Sequence, residues 1–241
     1  MIAIILNSGQ GKRMEELTVN KPKCLVEIDN ETILGRQLRL LKKIGIKEFI
    51  ITTGPFQDQI IQMVKKDFSN LDIEFVHNRL YKETNYIYSL YLVQKLIKYD
   101  DILLLHGDLV FDENVLIKLL ERQNSSTVLI DKRNDVSDKD FNALVEKERI
   151  KKIAIKISGT NVFPLQPFYK FKNSDFRLWL NEISEFIEMG TTDIYAENVL
   201  NNLLEEKIKL IPTEIANGFC HEIDTKEDLE EVRRQIMERV K

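Results

Sequence analysis

A chain of 241 residues is long enough for one sizeable α/β domain with an inserted or appended subregion, and 43% hydrophobic against 31% charged residues describes an ordinary globular protein. A formal net charge of −4 argues against a general nucleic-acid binder, which carries a basic stripe, and the lysines are interleaved with Asp and Glu as on solvated helix faces. Cys24 and Cys220 offer neither metal-ligand spacing nor a disulfide framework, and no apolar run approaches the length of a bilayer span, so the expectation is a cytoplasmic protein without a membrane or nucleic-acid partner.

In chain order, the first element is an apolar run, Ile2–Leu6, that reads as a buried strand. It opens into a loop carrying Gly9 and Gly11, then Lys12 and Arg13, with Lys23 following Pro22. Glycines at the end of a buried strand let backbone N–H groups approach an anion, and the nearby cations point to polyphosphate. Two common phosphate motifs are excluded. A dinucleotide fingerprint needs a third glycine where Met14 stands, and a P-loop needs Ser or Thr where Arg13 stands and Gly where Leu6 stands. An ordinary strand-to-helix turn remains open at this point.

Thr32–Ile44 has leucines at helical spacing, Phe49–Thr53 is a short strand ended by Gly54-Pro55, and Ile60, Ile61 and Val64 mark a second helix. Ile73–Val76 (strand), Ser89–Ile97 (helix), Ile102–Leu105 (strand), Asn114–Arg122 (helix) and Thr127–Ile130 (strand) continue the alternation. Repeated β-α-β units predict a Rossmann-like, mainly parallel sheet with helices on both faces and ligands at the carboxyl ends of its strands. Between about residues 131 and 171 the pattern changes to a hairpin, Ala143–Glu146 and Ile150–Ile157, and a segment rich in aromatics and prolines. It reads as a small mixed subregion on the acceptor side of a cleft, within a single domain covering residues 1–241. Asp175–Met189 and Tyr195–Leu204 are predicted helices, Ile208–Ile211 and Phe219–Ile223 extended, and Thr225 with Asp228 makes a capping box for a closing helix.

Two carboxylate clusters stand at strand ends. Asp108 follows Gly107 and ends the Ile102–Leu105 strand; beside polyphosphate it is a natural Mg²⁺ ligand, and otherwise a turn or helix-capping aspartate. Glu222 and Asp224 alternate onto one face of the last strand and can address a single metal or a metal and its water, with capping again the alternative. His77, His106 and His221 read as structural.

The run Leu6-Asn7-Ser8-Gly9-Gln10-Gly11-Lys12-Arg13-Met14, with Thr18 and Pro22-Lys23, resembles the signature of the nucleotidyltransferases that activate sugar 1-phosphates and small phospho-alcohols. Asn7 and Ser8 stand where that family usually has two alanines. Gly107-Asp108-Leu109-Val110-Phe111 and Glu222-Ile223-Asp224-Thr225 are similar to its Gly-Asp-x-x-Phe and Glu-Ile-Asp-Thr motifs, and Asn85-Tyr86-Ile87-Tyr88-Ser89-Leu90-Tyr91 resembles the phosphocholine cytidylyltransferase branch. The resemblance implies the nucleotidyltransferase fold, related to glycosyltransferase-A folds, and CTP as a substrate, transferred as CMP to a small phospho-acceptor with release of pyrophosphate. It implies that Lys23 neutralises the transferred phosphoryl group, and that Arg13 and Lys12 face the leaving pyrophosphate. Mg²⁺ would be held by Asp108 and Asp224, with Glu222 as ligand or support. Leu6, Asn7, Ser8, Gly9, Gly11 and Gly107 would border the nucleotide, and Asn85, Tyr86 and Ser89 the base and ribose.

Phe141 and Phe163 stand where that branch has tryptophans, and the sole Trp179 falls in a predicted helix. Cation–π capture of choline is weakened accordingly, and phosphoethanolamine, an aminoalkylphosphonate or a phosphorylated amide are equally expected, with Asp138, Asp140 or Asp193 as partners. A sugar-1-phosphate enzyme using another NTP and a catalytically silent nucleotide-sensing subunit are the rivals, and a homodimer is compatible with the sequence.

Overall fold

The computed structural model describes residues 1–239, the side chain of Glu15 aside. β1 (Ile2–Asn7), the two-residue strands β2 (Glu27–Ile28) and β3 (Glu31–Thr32), and α1 (Ile33–Lys43) open the chain. There follow β4 (Glu48–Thr53), α2 (Gln57–Asp67), β5 (Asp72–His77), α3 (Tyr86–Val93), β6 (Ile102–His106), β7 (Leu109–Phe111), α4 (Glu113–Glu121) and β8 (Ser126–Ile130). β9 (Asn142–Glu146), β10 (Arg149–Ala154), β11 (Val162–Phe171), α5 (Asn173–Glu188), α6 (Ala196–Leu204), β12 (Leu210–Glu214), β13 (Cys220–Glu222) and α7 (Lys226–Arg239) complete it.

The centre of the main sheet is parallel, as the β-α-β pattern predicts: β6, β1, β4 and β5 lie side by side with Ile4 opposite Ile50 and Leu104. Their carboxyl ends therefore deliver Asn7, Thr53, His77 and His106 to one edge. Beyond β6 the sheet turns antiparallel at β11, which carries β8 and then β12. The first residues of β11 instead pair with the β9–β10 hairpin, so the subregion from 131 is tied to the sheet by a strand that belongs to both.

Alternation along the buried strands divides the core. Ile2 and Ile4 face α3, α5 and α6, where Trp179 and Tyr169 are fully buried. Ala3 and Ile5 face α1, α2 and α4. A third cluster joins Met14, Val26, Val110, Phe219 and Ile223 to Leu229 and Val232 of α7, and it clamps the segments that carry the site. Cys24 and Cys220 are buried and unpaired with each other. No helix among the described residues is long and apolar enough to cross a membrane.

Several elements, β10 and β12 among them, are shifted by two or three residues from expectation, and two differences bear on the site. α3 begins at Tyr86 rather than Ser89, because Asn85 is extended and its side-chain oxygen accepts from the Tyr86 amide at 2.8 Å. Residues 109–111, read only as the sequel to Asp108, form β7, which pairs antiparallel with β13 across more than a hundred residues of chain.

Candidate active site

The loop after β1 is shaped by its own backbone. Asn7 donates its amide to Thr52 Oγ1 at 3.1 Å, fixing the end of β1. Gly11 has a left-handed φ of 64°, and its carbonyl accepts from Thr18 Oγ1 at 2.8 Å, which closes the loop. Gly9 has no positive φ and open space beside it, so sterics within the protein do not demand a glycine there. Gly107 does meet such a demand: a Cβ there would lie 1.7 Å from Asn7 Oδ1 and 2.8 Å from the Leu6 carbonyl.

The β7–β13 pairing does the assembly. It sets Glu222 opposite Leu109, and the Ile223 amide donates to the Asp108 carbonyl at 3.1 Å, which places Asp224 beside Asp108. Asp228 then accepts from the amides of Asp224 and Thr225 at 2.9 and 2.7 Å, and Thr225 Oγ1 accepts from the Asp228 amide at 3.2 Å, completing the expected capping box. Lys23 Nζ donates to Asp108 Oδ2 at 2.6 Å and to Asp224 Oδ1 at 2.7 Å, and Arg13 donates to the same Asp224 oxygen at 2.8 Å. These groups, with Gly9, Gly11 and Lys12, line a cleft of about 350 Å³.

Burial disfavours the charge on Lys23, but Asp108 and Asp224 outweigh it and raise its pKa. Burial likewise disfavours the Asp108 carboxylate, and Lys23 followed by His106 holds it below the ordinary range. Asp108 Oδ1 is buried without a hydrogen-bond partner, which is the mark of an anionic oxygen facing a position for a cation. An oxygen pair from Asp108 and Asp224 suits a hard divalent ion.

Glu222 belongs to a second arrangement. Its Oε1 lies 3.1 Å from His106 Nδ1, and single ligand atoms of His106, Asp108 and Glu222 lie within 4.8 Å of one another. Burial opposes the imidazolium of His106, yet the hydrogen bond and charge of Glu222 raise its pKa, while burial and the Asp108 charge push Glu222 up. His106 and Glu222 therefore form a hydrogen-bonded pair beside Asp108.

The Asn85–Ser89 segment divides. Ser89 is 1% exposed and donates to Ser8 Oγ at 3.0 Å, so it supports the loop from behind instead of facing the cleft. Asn78, not singled out in the sequence, donates to Ser89 Oγ and Thr84 Oγ1, both at 3.2 Å, and so binds the segment to the end of β5. Asn85 caps α3. The Tyr86 ring stands edge-on to His106 at 4.9 Å and 6.1 Å from Tyr195, which meets Phe141 at 5.1 Å. This aromatic wall includes one of the two phenylalanines that stand in place of tryptophans, Phe141; Phe163 lies instead under Lys132, 5.2 Å away, and Trp179 is core. Asp138, Asp140 and Asp193 are exposed and outside the lining of the cleft.

Buried Glu197 was not singled out either. Tyr86 and Tyr169 both donate to it, Tyr169 at 2.8 Å, and burial pushes its pKa to about 8. A folded pKa above the unfolded value of about 4.3 means that the native state binds more protons between those values, so stability falls as pH rises through that window. From pH 6 to 8.5 the loss is on the order of 2–3 kcal/mol, several degrees of Tm, and Glu197→Gln is expected to flatten it. Equal pH dependence of thermal unfolding in the two proteins would refute the assignment.

A glycine loop at the end of a parallel strand, a lysine between two strand-end aspartates and an α/β sheet together define a nucleotide-polyphosphate transferase class of site. A family model described as the MobA-like NTP transferase domain matches residues 3–155, and the chain belongs to that family. Among curated proteins it is 28% identical to the CTP:phosphoglutamine cytidylyltransferase of Campylobacter jejuni, over 95% of this chain and 98% of the relative. It is 25% identical to the choline-phosphate cytidylyltransferase of Streptococcus pneumoniae, over 96% and 98%. A solved structure of the CTP:phosphocholine cytidylyltransferase from Streptococcus pneumoniae superimposes with a TM-score of 0.83 at 22% identity, covering 98% of this chain and 99% of that one.

Proposed function

We propose that the protein transfers CMP from CTP to a small phosphorylated or phosphonylated head group, releasing pyrophosphate. The observation that carries this reading is Lys23 held between Asp108 and Asp224 at the glycine loop, with one Asp108 oxygen left unpartnered. The curated relatives named above, matched along nearly their whole length, support CTP as the donor.

An acceptor phosphate oxygen attacks the α-phosphorus, the bond to the β-phosphate oxygen breaks, and pyrophosphate leaves with that electron pair. A phosphomonoester dianion, with its second pKa near ~6, needs no protein base. Lys23 neutralises charge on the reacting phosphoryl group, and the loop amides and Lys12 bind the departing phosphates. Arg13 holds Asp224 in place. Mg²⁺, held by Asp108 and Asp224, would supply Lewis-acid stabilisation of the phosphoryl oxygens. On the acceptor side, Tyr86, Tyr195 and Phe141 next to the His106–Glu222 pair favour a compact head group carrying an amine or amide. Phosphoethanolamine, an aminoalkylphosphonate and a phosphorylated amide meet that description, and phosphocholine is the larger alternative.

Pyrophosphate release with each of the four NTPs plus dTTP, against a panel of these acceptors and sugar 1-phosphates in Mg²⁺, tests the reading. Turnover is expected with CTP and a small phospho-acceptor. Preferential turnover of a sugar 1-phosphate, or none with CTP, would overturn it.

A further inference from the structure

We propose that Gln37, on α1 outside the cleft, is a positioning residue that aims the Asp108 carboxylate; the proposal rests on the metal-assisted transfer put forward above. α1 buries Ile33, Leu34, Leu38, Leu40 and Leu41, and Gln37 is the one buried residue of the helix with a polar side chain. It is 1% exposed. Amphipathic spacing alone would place another aliphatic residue there.

The amide has a defined task. Gln37 Nε2 donates to the His106 carbonyl at 3.0 Å and to the Leu109 carbonyl at 2.8 Å. Those carbonyls bracket Gly107-Asp108, so one NH₂ group spans the turn that presents the carboxylate. Two further supports close around the same turn. Gly107 donates its amide to the Leu6 carbonyl at 3.0 Å with no room for a Cβ, and Ile223 donates to the Asp108 carbonyl at 3.1 Å. β1 and the residue that follows β13 thus fix the turn from two sides, and Gln37 ties its two ends together from α1.

Gln37 Oε1 is buried without a partner, so the two donated bonds are what the amide contributes at this position. An apolar residue would fill the space and satisfy the helix face, yet leave both carbonyls without this donor. The turn could then relax, and Asp108 would lose its aim without losing its charge.

Gln37→Leu, with unbranched Gln37→Met as a second variant, tests this through thermal unfolding, steady-state kinetics and Mn²⁺ titration by EPR on the protein mixed with CTP. The expected result is a folded protein with kcat and Mn²⁺ affinity each lowered about 10–100-fold, as for groups that support a metal ligand. KM for the metal–CTP complex is expected to rise by no more than the same factor, because metal and nucleotide bind together while the glycine loop itself is untouched. In an Asp108→Asn background, where there is no carboxylate to aim, the second substitution is expected to cost less than about twofold. Wild-type kcat and Mn²⁺ affinity in either folded variant would overturn the proposal, as would a full additional loss in the Asp108→Asn background. Failure of both variants to fold would assign Gln37 to stability and overturn it as well. Wild-type protein that turns over no CTP would count against the transfer reading, while the Mn²⁺ titration still decides on Gln37.

Discussion

Asp108→Asn is expected to lower kcat about 10³-fold, close to 4 kcal/mol of transition-state stabilisation, while the protein stays folded. Asparagine keeps the volume of the side chain and an oxygen for Lys23, so the change removes charge and little else. The turn around Asp108 is anchored by backbone groups, the Leu6 carbonyl and the Ile223 amide, and these remain. Lys23 keeps its bond to Asp224, which limits the structural loss. What disappears is the anionic oxygen that has no partner within the protein, the one positioned to hold a divalent ion. Asp224→Asn is expected to be similarly inactive and also to loosen Arg13, which is bound to the same oxygen as Lys23. Pyrophosphate release and thermal unfolding measured side by side decide the matter. A near-normal rate in either folded variant would remove that aspartate from the metal site.

Much of this arrangement was legible in the chain because the relevant signals are local. The run Ile2–Leu6, the glycines behind it and the apolar stretch ending at Gly107-Asp108 each announce a strand and its carboxyl end within ten residues. Parallel pairing then brings those ends to one edge without further information. The Thr225–Asp228 capping box was legible for the same reason. The sequence hid what depends on distant partners. β7 is three residues long and exists because β13 pairs with it, so nothing near Leu109 signals a strand. Ser89 was expected at the base, but its hydroxyl is used against Ser8, 81 residues away in sequence. Gln37 and Glu197 left a faint trace, a polar residue in a helix position that turns inward, and the chemistry of each depends on groups more than 28 positions away or at that limit. The subregion from 131 was marked by a break in pattern, yet its aromatic wall is completed by Tyr86 and Tyr195 from outside it.

Lys23→Met is expected to lower stability in the absence of divalent metal by about 3 kcal/mol, the lower end for breaking a buried ion pair because these side chains keep some solvent contact. In a chain of this size that corresponds to a Tm lower by about 6–12 °C. The cause is electrostatic: the ammonium stands between Asp108 and Asp224, at 2.6 and 2.7 Å, and its removal leaves two carboxylates facing each other. Arg13 offsets part of the charge on Asp224 but makes no contact with Asp108. A divalent ion placed between the two aspartates would answer that repulsion, so millimolar Mg²⁺ is expected to raise the Tm of Lys23→Met by more than it raises that of the wild type. The same variant is expected to lose about 10³-fold in kcat even with Mg²⁺ saturating, because the metal can neutralise the aspartates without replacing a cation at the reacting phosphoryl group. The two readouts thus separate the roles of one residue. Wild-type stability without metal would show that Lys23 does not bridge the carboxylates. Equal Mg²⁺ stabilisation of variant and wild type would show that Asp108 and Asp224 are not a metal pair, and a restored rate would free Lys23 from any part in the transfer.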